Sequence, residues 1–303
     1  MARLSPLASV SETRAVLEAH GLTTKYSLGQ NFLVNDAILQ KIVALAEVES
    51  SDAVLEVGPG IGTLTIALLQ HAARVVSVER DADLPAVLAE TCAPWSDRFA
   101  LIEKDALHLA ADDLADLDGF LPNKLVANLP YAVAATVVLD YFERFPSLES
   151  ATVMVQKEVA DRMAAVPGTK SYGAYTVKLR LYAEPAGRFA VGPGNFFPPP
   201  RVESAVLRLN RRTLHDGSGA PLDATTLKAA ATMADAAFAN RRKTLSNSCK
   251  TYFAGRGVEG ARVAAVLPQL FEQAGVDPRL RGEALALEDF VRMGRALQAL
   301  AGV

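Results

Sequence analysis

Asn128-Leu129-Pro130-Tyr131 follows the apolar run Leu125-Val126-Ala127 and places three chemistries within four residues. Pro130 has no N–H and pushes Leu129 toward an extended conformation, so the carbonyl beside the ring can project into a site. Asn128 adds a side-chain amide oxygen, and Tyr131 adds an aromatic face. Two acceptors and a ring suit a planar group that carries an exocyclic NH2. An Asn-X-Pro turn closing a strand would use the same residues, and for an isolated tetrapeptide that simpler reading wins. The balance changes with a glycine loop upstream, Gly58-Pro59-Gly60-Ile61-Gly62, and with acidic residues spaced between the two.

The loop admits two readings. A dinucleotide fingerprint needs Gly-x-Gly-x-x-Gly, but here the third glycine comes one residue early and Glu56 lies two residues before the first. Pyrophosphate on a helix N-terminus would not welcome that carboxylate. Glu56 therefore favours a phosphate-free ligand with a positive centre or hydroxyls. Glu79 stands where an acid accepts both hydroxyls of a ribose, and Asp105 can accept from an adenine amino group. Loop, ribose acid and adenine acid together describe S-adenosylmethionine, although each carboxylate alone could equally be a cap or a solvated side chain.

The elements that must position these residues alternate in type. Ala53–Val57, Arg74–Glu79, Phe99–Glu103, Lys124–Ala127 and Thr152–Gln156 read as short buried strands. Helical spacing is expected between them: 36–48 with Asp36 as N-cap, Thr63–Gln70, 83–91, 135–145 and 157–165. This rhythm predicts an α/β fold with a mostly parallel sheet and helices on both faces. Glycine loop, Glu79, Asp105 and Asn128 all fall at strand carboxyl ends, where open sheets of this kind bind ligands. Beyond Tyr175 two further strands are expected, Val177–Tyr182 and Val202–Leu209, followed from Leu222 by an Ala-rich helical region. The expected domains are an N-terminal extension (1–26), a cofactor-binding catalytic domain (27–215) and a small helical domain (216–303).

With 303 residues, half of them apolar, the chain can bury a large core. It contains no apolar run long enough to span a bilayer, and Glu12, Arg14 and Glu18 near the start read against a secretion signal. Cys92 and Cys249 are far apart and lack metal-ligand spacing, so no metal is expected and a reducing cytoplasm is. The net charge of -3 hides an asymmetry: residues 201–256 hold ten Lys/Arg against four Asp/Glu. Such a basic segment on an acidic chain suits an anionic partner, although many are only solvated faces.

Taken together, Gln30-Asn31-Phe32-Leu33, Glu56-x-Gly58-x-Gly60-x-Gly62, Glu79, Asp105, the tetrapeptide, Gln156-Lys157-Glu158, Phe196-x-Pro198-Pro199-Pro200-Arg201-Val202-x-Ser204 and Asn240-Arg241-Arg242-Lys243-Thr244-Leu245 resemble the rRNA adenine N6-dimethyltransferase family. The resemblance implies a Rossmann-like class I S-adenosylmethionine-dependent methyltransferase sheet with a helical C-terminal domain. It implies that Asn31 and Leu33 close over the cofactor and that Gly58, Gly60, Glu79, Asp105 and Asn128 contact it. The implied reaction is dimethylation at N6 of two adjacent adenosines in a hairpin loop near the 3′ end of 16S rRNA, within the small ribosomal subunit or its precursor, by a monomer. Leu28 and Lys104 depart from the family pattern, which bears on details of cofactor affinity.

On this reading Asn128 and the Leu129 carbonyl hold the target amine, with Pro130 setting the turn. Tyr131 and Phe196 sandwich the extruded base; without the resemblance Phe196 would be read as core. Arg201, Arg211 and Arg212 are expected beside this clamp, and Arg241, Arg242, Lys243 and Lys250 on a C-terminal helix, all holding RNA phosphates. The competing readings are a large-subunit rRNA methylase of the macrolide-resistance type, a ribosome-assembly binding factor without catalysis and, more distantly, a dinucleotide oxidoreductase.

Overall fold

Glu56 is buried in the middle of a strand whose other members are apolar, and the architecture explains how it got there. In a computed structural model describing residues 3–25 and 30–301, the chain divides into two compact units, Met1–Ala160 with Pro185–Arg211, and Asp161–Glu184 with Arg212–Val303. The first unit begins with α1 (Val10–Ala19), capped by the Ser9 hydroxyl, then β1 (Phe32–Leu33) and α2 (Asp36–Ala46). The cap of α2 is Asn35, whose side chain accepts from Ala37 N, rather than Asp36. Asp36 instead accepts from the amides of Leu4 and Ser5 and so ties down the N-terminal segment.

The sheet follows: β2 (Ala53–Val57), α3 (Thr63–Leu69), β3 (Arg74–Glu79), α4 (Pro85–Thr91), β4 (Phe99–Glu103), α5 (Ala111–Ala115), β5 (Lys124–Asn128), α6 (Ala134–Arg144), β6 (Ser150–Gln156) and α7 (Lys157–Met163). Later strands are β7 (Ala183–Val191), β8 (Phe196–Phe197) and β9 (Ser204–Arg211), with α8 (Ala174–Arg180) preceding them. The seven-stranded order is β4-β3-β2-β5-β6-β9-β7, while β1 and β8 form a separate two-stranded pair. From β4 to β6 every pairing is parallel, and β9 is antiparallel to β6. Val54, Val75, Val126, Met154 and Val206 pack on one face with residues of α2, α3 and α4. Their neighbours Leu55, Val76, Leu125, Val153 and Leu207 are equally buried. Burial of both faces is why these strands read as nearly unbroken apolar runs. The chain leaves β2 for β3 and β4 on one side and later returns to β5 on the other, so the switch point lies between β2 and β5.

The expected strand Val177–Tyr182 is a correction: it is largely helix, α8, and the strand starts at Ala183. A six-residue alternating run is too short for its period to separate the two. Burial decides it, because Val177 joins the core of the second unit beside Ala234 and Met233. That unit also contains α9 (Ala224–Phe238), α10 (Leu245–Ala254), α11 (Gly257–Ala274) and α12 (Leu287–Ala301). The boundary expected at residue 216 lies near the 211/212 division, but residues 161–184 also belong to the helical unit. The departure at Leu28 and the expected boundary at 26/27 lie outside the described residues.

Candidate active site

The segments leaving four strands, β2, β3, β4 and β5, bring the chemistry to one edge of the sheet. After β2 the chain rises through Gly58 (φ 71°) and Gly60 (φ 61°), left-handed conformations that residues with a Cβ rarely adopt. At Gly60 a Cβ would also stand 3.0 Å from Cε1 of Phe32, so the loop and the β1 segment approach as closely as they do only because the side chain is missing. The Gly58 amide donates to Val78 O at 3.0 Å, joining the loop to the end of β3.

Beneath this loop Glu56 is 1% exposed, and its Oε2 accepts from the hydroxyls of Thr65 and Ser77, both at 2.7 Å. Burial pushes its carboxyl up to about 7, with the Glu79 charge adding to the rise and the two hydroxyls opposing it. Glu56 thus sits on a hydroxyl cradle supplied by the neighbouring strand and helix, and it also lines the cavity. Glu79 Oε1 accepts from the amides of Arg80 and Asp81, both at 2.9 Å. Burial raises its pKa, partly offset by these amides and that of Gly60. Asp105 Oδ1 accepts from Leu107 N at 3.0 Å, and its Oδ2 lies 3.4 Å from the Arg80 guanidinium. Lys104, the second departure, is committed to Asp113 at 2.7 Å.

Asn128 is the last residue of β5, paired with Met154. Its Nδ2 donates to the main-chain carbonyl of Asn31 at 3.2 Å, which commits the nitrogen and leaves the amide oxygen as an acceptor. The Leu129 amide donates to Met154 O, and Pro130 O accepts from Val133 N, fixing the turn that leads into α6. The Tyr131 hydroxyl lies 2.6 Å from the Ser204 hydroxyl. Asn128, Leu129, Pro130 and Tyr131 line one cavity of about 570 Å³, together with Asn31, Leu33, Glu79, Asp105 and the segment Pro198–Val202.

The structure therefore brings together Asn31, Leu33, Gly58, Gly60, Glu79, Asp105, Asn128, Leu129, Pro130, Tyr131 and Arg201 around one space. Four expectations are corrected. Phe196 is 3% exposed, pairs with Leu33 through β8 and belongs to the core, so it does not form a wall of the cavity. Arg211 donates to the carbonyls of Leu148, Phe142 and Phe145 and lies over the Phe142 ring. It stands at the far end of β9 from Ser204, roughly 23 Å away along the strand, and fastens the end of α6 rather than flanking the cavity. Arg212 faces Glu184 at 3.7 Å, within the helical unit. Arg241, Arg242 and Lys243 lie in the turn between α9 and α10, not on a helix; of the four, only Lys250 is helical. Arg241 donates to Lys170 O and pairs with Glu283 at 3.1 Å, beside a cleft that Arg242 and Arg281 also line.

Sequence reasoning missed Asp81. It is 6% exposed and accepts from Lys25 Nζ at 2.5 Å and from Gln30 Nε2 at 2.7 Å, holding the segment before β1 to the loop after β3. The one available signal was Gln30 beside Asn31 in the N-terminal motif. Ser204 closes the Phe196-to-Ser204 motif, but nothing in the sequence indicates its bond to Tyr131.

Residues 21–269 match the family described as ribosomal RNA adenine dimethylase. The chain is 42% identical over 288 residues to ribosomal RNA small subunit methyltransferase A of Streptomyces coelicolor, covering 93% of this chain and 94% of that protein. It is 36% identical over 293 residues to the protein of the same name from Staphylococcus aureus, covering 95% and 94%. Among solved structures, a dimethyladenosine transferase from Plasmodium falciparum shares the fold, with a TM-score of 0.73 and 23% identity over 90% of this chain and 98% of that one. The 23S rRNA methyltransferase ErmE superimposes with a TM-score of 0.60 and 26% identity, covering 88% and 100%. The fold is thus that of the Rossmann-like class I methyltransferases. With the motifs at the carboxyl ends of the strands and a match spanning both units, the chain belongs to the ribosomal RNA adenine dimethylase family.

Proposed function

We infer that this chain transfers methyl groups from S-adenosylmethionine to N6 of two adjacent adenosines in a hairpin loop near the 3′ end of 16S rRNA. It would do so as a cytoplasmic monomer acting on the small ribosomal subunit or its precursor. The observation that carries the reading is the joining of the glycine loop, Glu79, Asp105 and the tetrapeptide around one cavity. When bound there, the cofactor supplies an electrophilic methyl group on a sulfonium. Its fit rests on the donor set: a buried acid for ribose hydroxyls at Glu79, an acid for the adenine amine at Asp105, and close backbone approach at Gly58 and Gly60. Asn31 and Leu33 would cover it.

The N6 amine of adenine is a weak nucleophile because its lone pair is delocalised into the ring. In this reading the Asn128 amide oxygen and the Leu129 carbonyl accept its two N–H groups and localise that pair toward the methyl. The commitment of Asn128 Nδ2 to Asn31 favours this, because it fixes which end of the amide faces a ligand. Catalysis is then alignment and electrostatic positioning, and no side chain need act as a base. The extruded base would stack on Tyr131, with the Pro198–Val202 segment as the remaining wall. Arg201 at the cavity, with Arg242, Lys243 and Lys250 on the helical unit, would hold phosphates, and Arg241 would do so while also buttressing its own loop.

The near relatives are named for the small subunit, which favours that substrate over the large-subunit rRNA named for ErmE. Purified protein with labelled donor should mark adjacent adenines in small-subunit particles from cells lacking the protein. Labelling confined to large-subunit rRNA, or no labelling at all, would reject the reading.

A further inference from the structure

We propose that Ser204 is a positioning residue for methyl transfer: its hydroxyl, 2.6 Å from that of Tyr131, fixes the Tyr131 ring relative to the Pro198–Val202 wall and so sets the width of the slot that takes the target base. This rests on the methyltransferase reading above and names a residue that the reading leaves without a role.

Stacking does not need the phenol hydroxyl, because a phenylalanine ring offers the same face. The hydroxyl of Tyr131 is instead spent on the protein. Tyr131 lies beyond the end of β5, in the turn before α6, and is half-buried, so packing alone does not fix its ring. Ser204 is the opposite kind of residue. It is 0% exposed, opens β9 and is registered against Gln156 of β6. Directly beside it, Lys157 N donates to Glu203 O at 2.9 Å. Only one residue separates Ser204 from Val202, so the anchor and the proline-rich wall belong to one stretch of backbone. Burial raises the Tyr131 phenol pKa, which keeps it protonated and able to share a hydrogen with the serine. A site that must hold its geometry within a fraction of an ångström gains from such a tether.

The test compares Ser204→Ala, Tyr131→Phe and the double variant with wild type. It uses full-length protein, labelled donor and unmethylated small-subunit particles. Each single change should lower kcat by about two- to thirteenfold, the effect of one hydrogen bond on the barrier. Donor affinity by calorimetry should stay unchanged, and the melting temperature should fall by no more than a few degrees, the cost of one buried hydrogen bond. The double variant should be no slower than the slower single, because both changes remove the same bond. A single variant with wild-type kcat, or a double whose loss is the product of the two, overturns the proposal. So does a loss that appears only in melting temperature. If Ser204→Ala does not fold, Tyr131→Phe decides by the same kcat and affinity criteria. Failure of the wild type to methylate any adenine would sink the underlying function instead, and is read separately.

Discussion

Asn128 Nδ2 donates to the main-chain carbonyl of Asn31 at 3.2 Å, so the end of β5 is bonded directly to the segment that precedes β1. One side chain therefore holds the N-terminal segment beside the cavity and, in the proposed reaction, would present its oxygen to the amine. Replacing Asn128 with Ala should lower kcat on the order of a hundredfold or more, as loss of a single preorganised polar group does elsewhere. Circular dichroism should remain native, since Asn128 is not in the core. A variant with wild-type turnover in a labelled-donor assay would contradict the role of the amide oxygen.

Glu56 predicts a pH dependence of stability. Its pKa is pushed up to about 7 in the folded protein by burial, from an ordinary value of 4.5. Between those values the folded state binds more protons at this site than the unfolded state, so the site's contribution to stability falls as pH rises. It is at its most favourable below about 4.5 and reaches its full penalty, about 3 kcal/mol, above 7. Glu56→Gln keeps an acceptor for Thr65 and Ser77 without the charge. It should raise the melting temperature at pH 8, with the gain shrinking toward pH 5; an equal gain at both values would contradict the assignment.

Arg211 should behave as a structural residue. Its guanidinium serves three carbonyls at the end of α6 and the turn after it, so Arg211→Ala strips the Phe142 and Leu148 carbonyls of this donor, while Phe145 O keeps the amide of Leu148. The expected cost is about 2–4 kcal/mol, seen as a lower midpoint in urea unfolding. RNA affinity measured below the unfolding transition should stay within about twofold, because nothing in this arrangement needs a phosphate.

The exposed cations of the helical unit should behave in the opposite way. Arg242→Glu with Lys250→Glu leaves Arg241 on Glu283 and the loop intact. RNA binding should weaken and the slope of log affinity against log salt should flatten by about 1.5–2, as expected for two lost phosphate contacts. Cofactor affinity should not move. Equal losses of RNA and cofactor binding would place these residues elsewhere in the mechanism.

The sequence by itself determined the strands and what stands at their ends. The bounds of β2, β3 and β4 are as the apolar runs set them: β2 and β3 are buried on both faces, β4 is the partly buried edge strand, and turns and glycines punctuate all three. Glu79, Asp105 and Asn128 were legible as a group because a parallel sheet places every strand's carboxyl end on one edge. What the tertiary structure alone decided involves partners distant along the chain. Phe196 was readable either as a stacking ring or as core, and pairing with β1 settled it. Arg211 read as an RNA contact until three carbonyls more than sixty residues away claimed it. Residues 177–182 alternated like a strand, and docking of Val177 into the helical core made most of them α8. The bond between Tyr131 and Ser204 spans 73 positions. A local pattern fixes which face of an element is apolar, but which distant group a polar atom meets depends on how the elements are stacked.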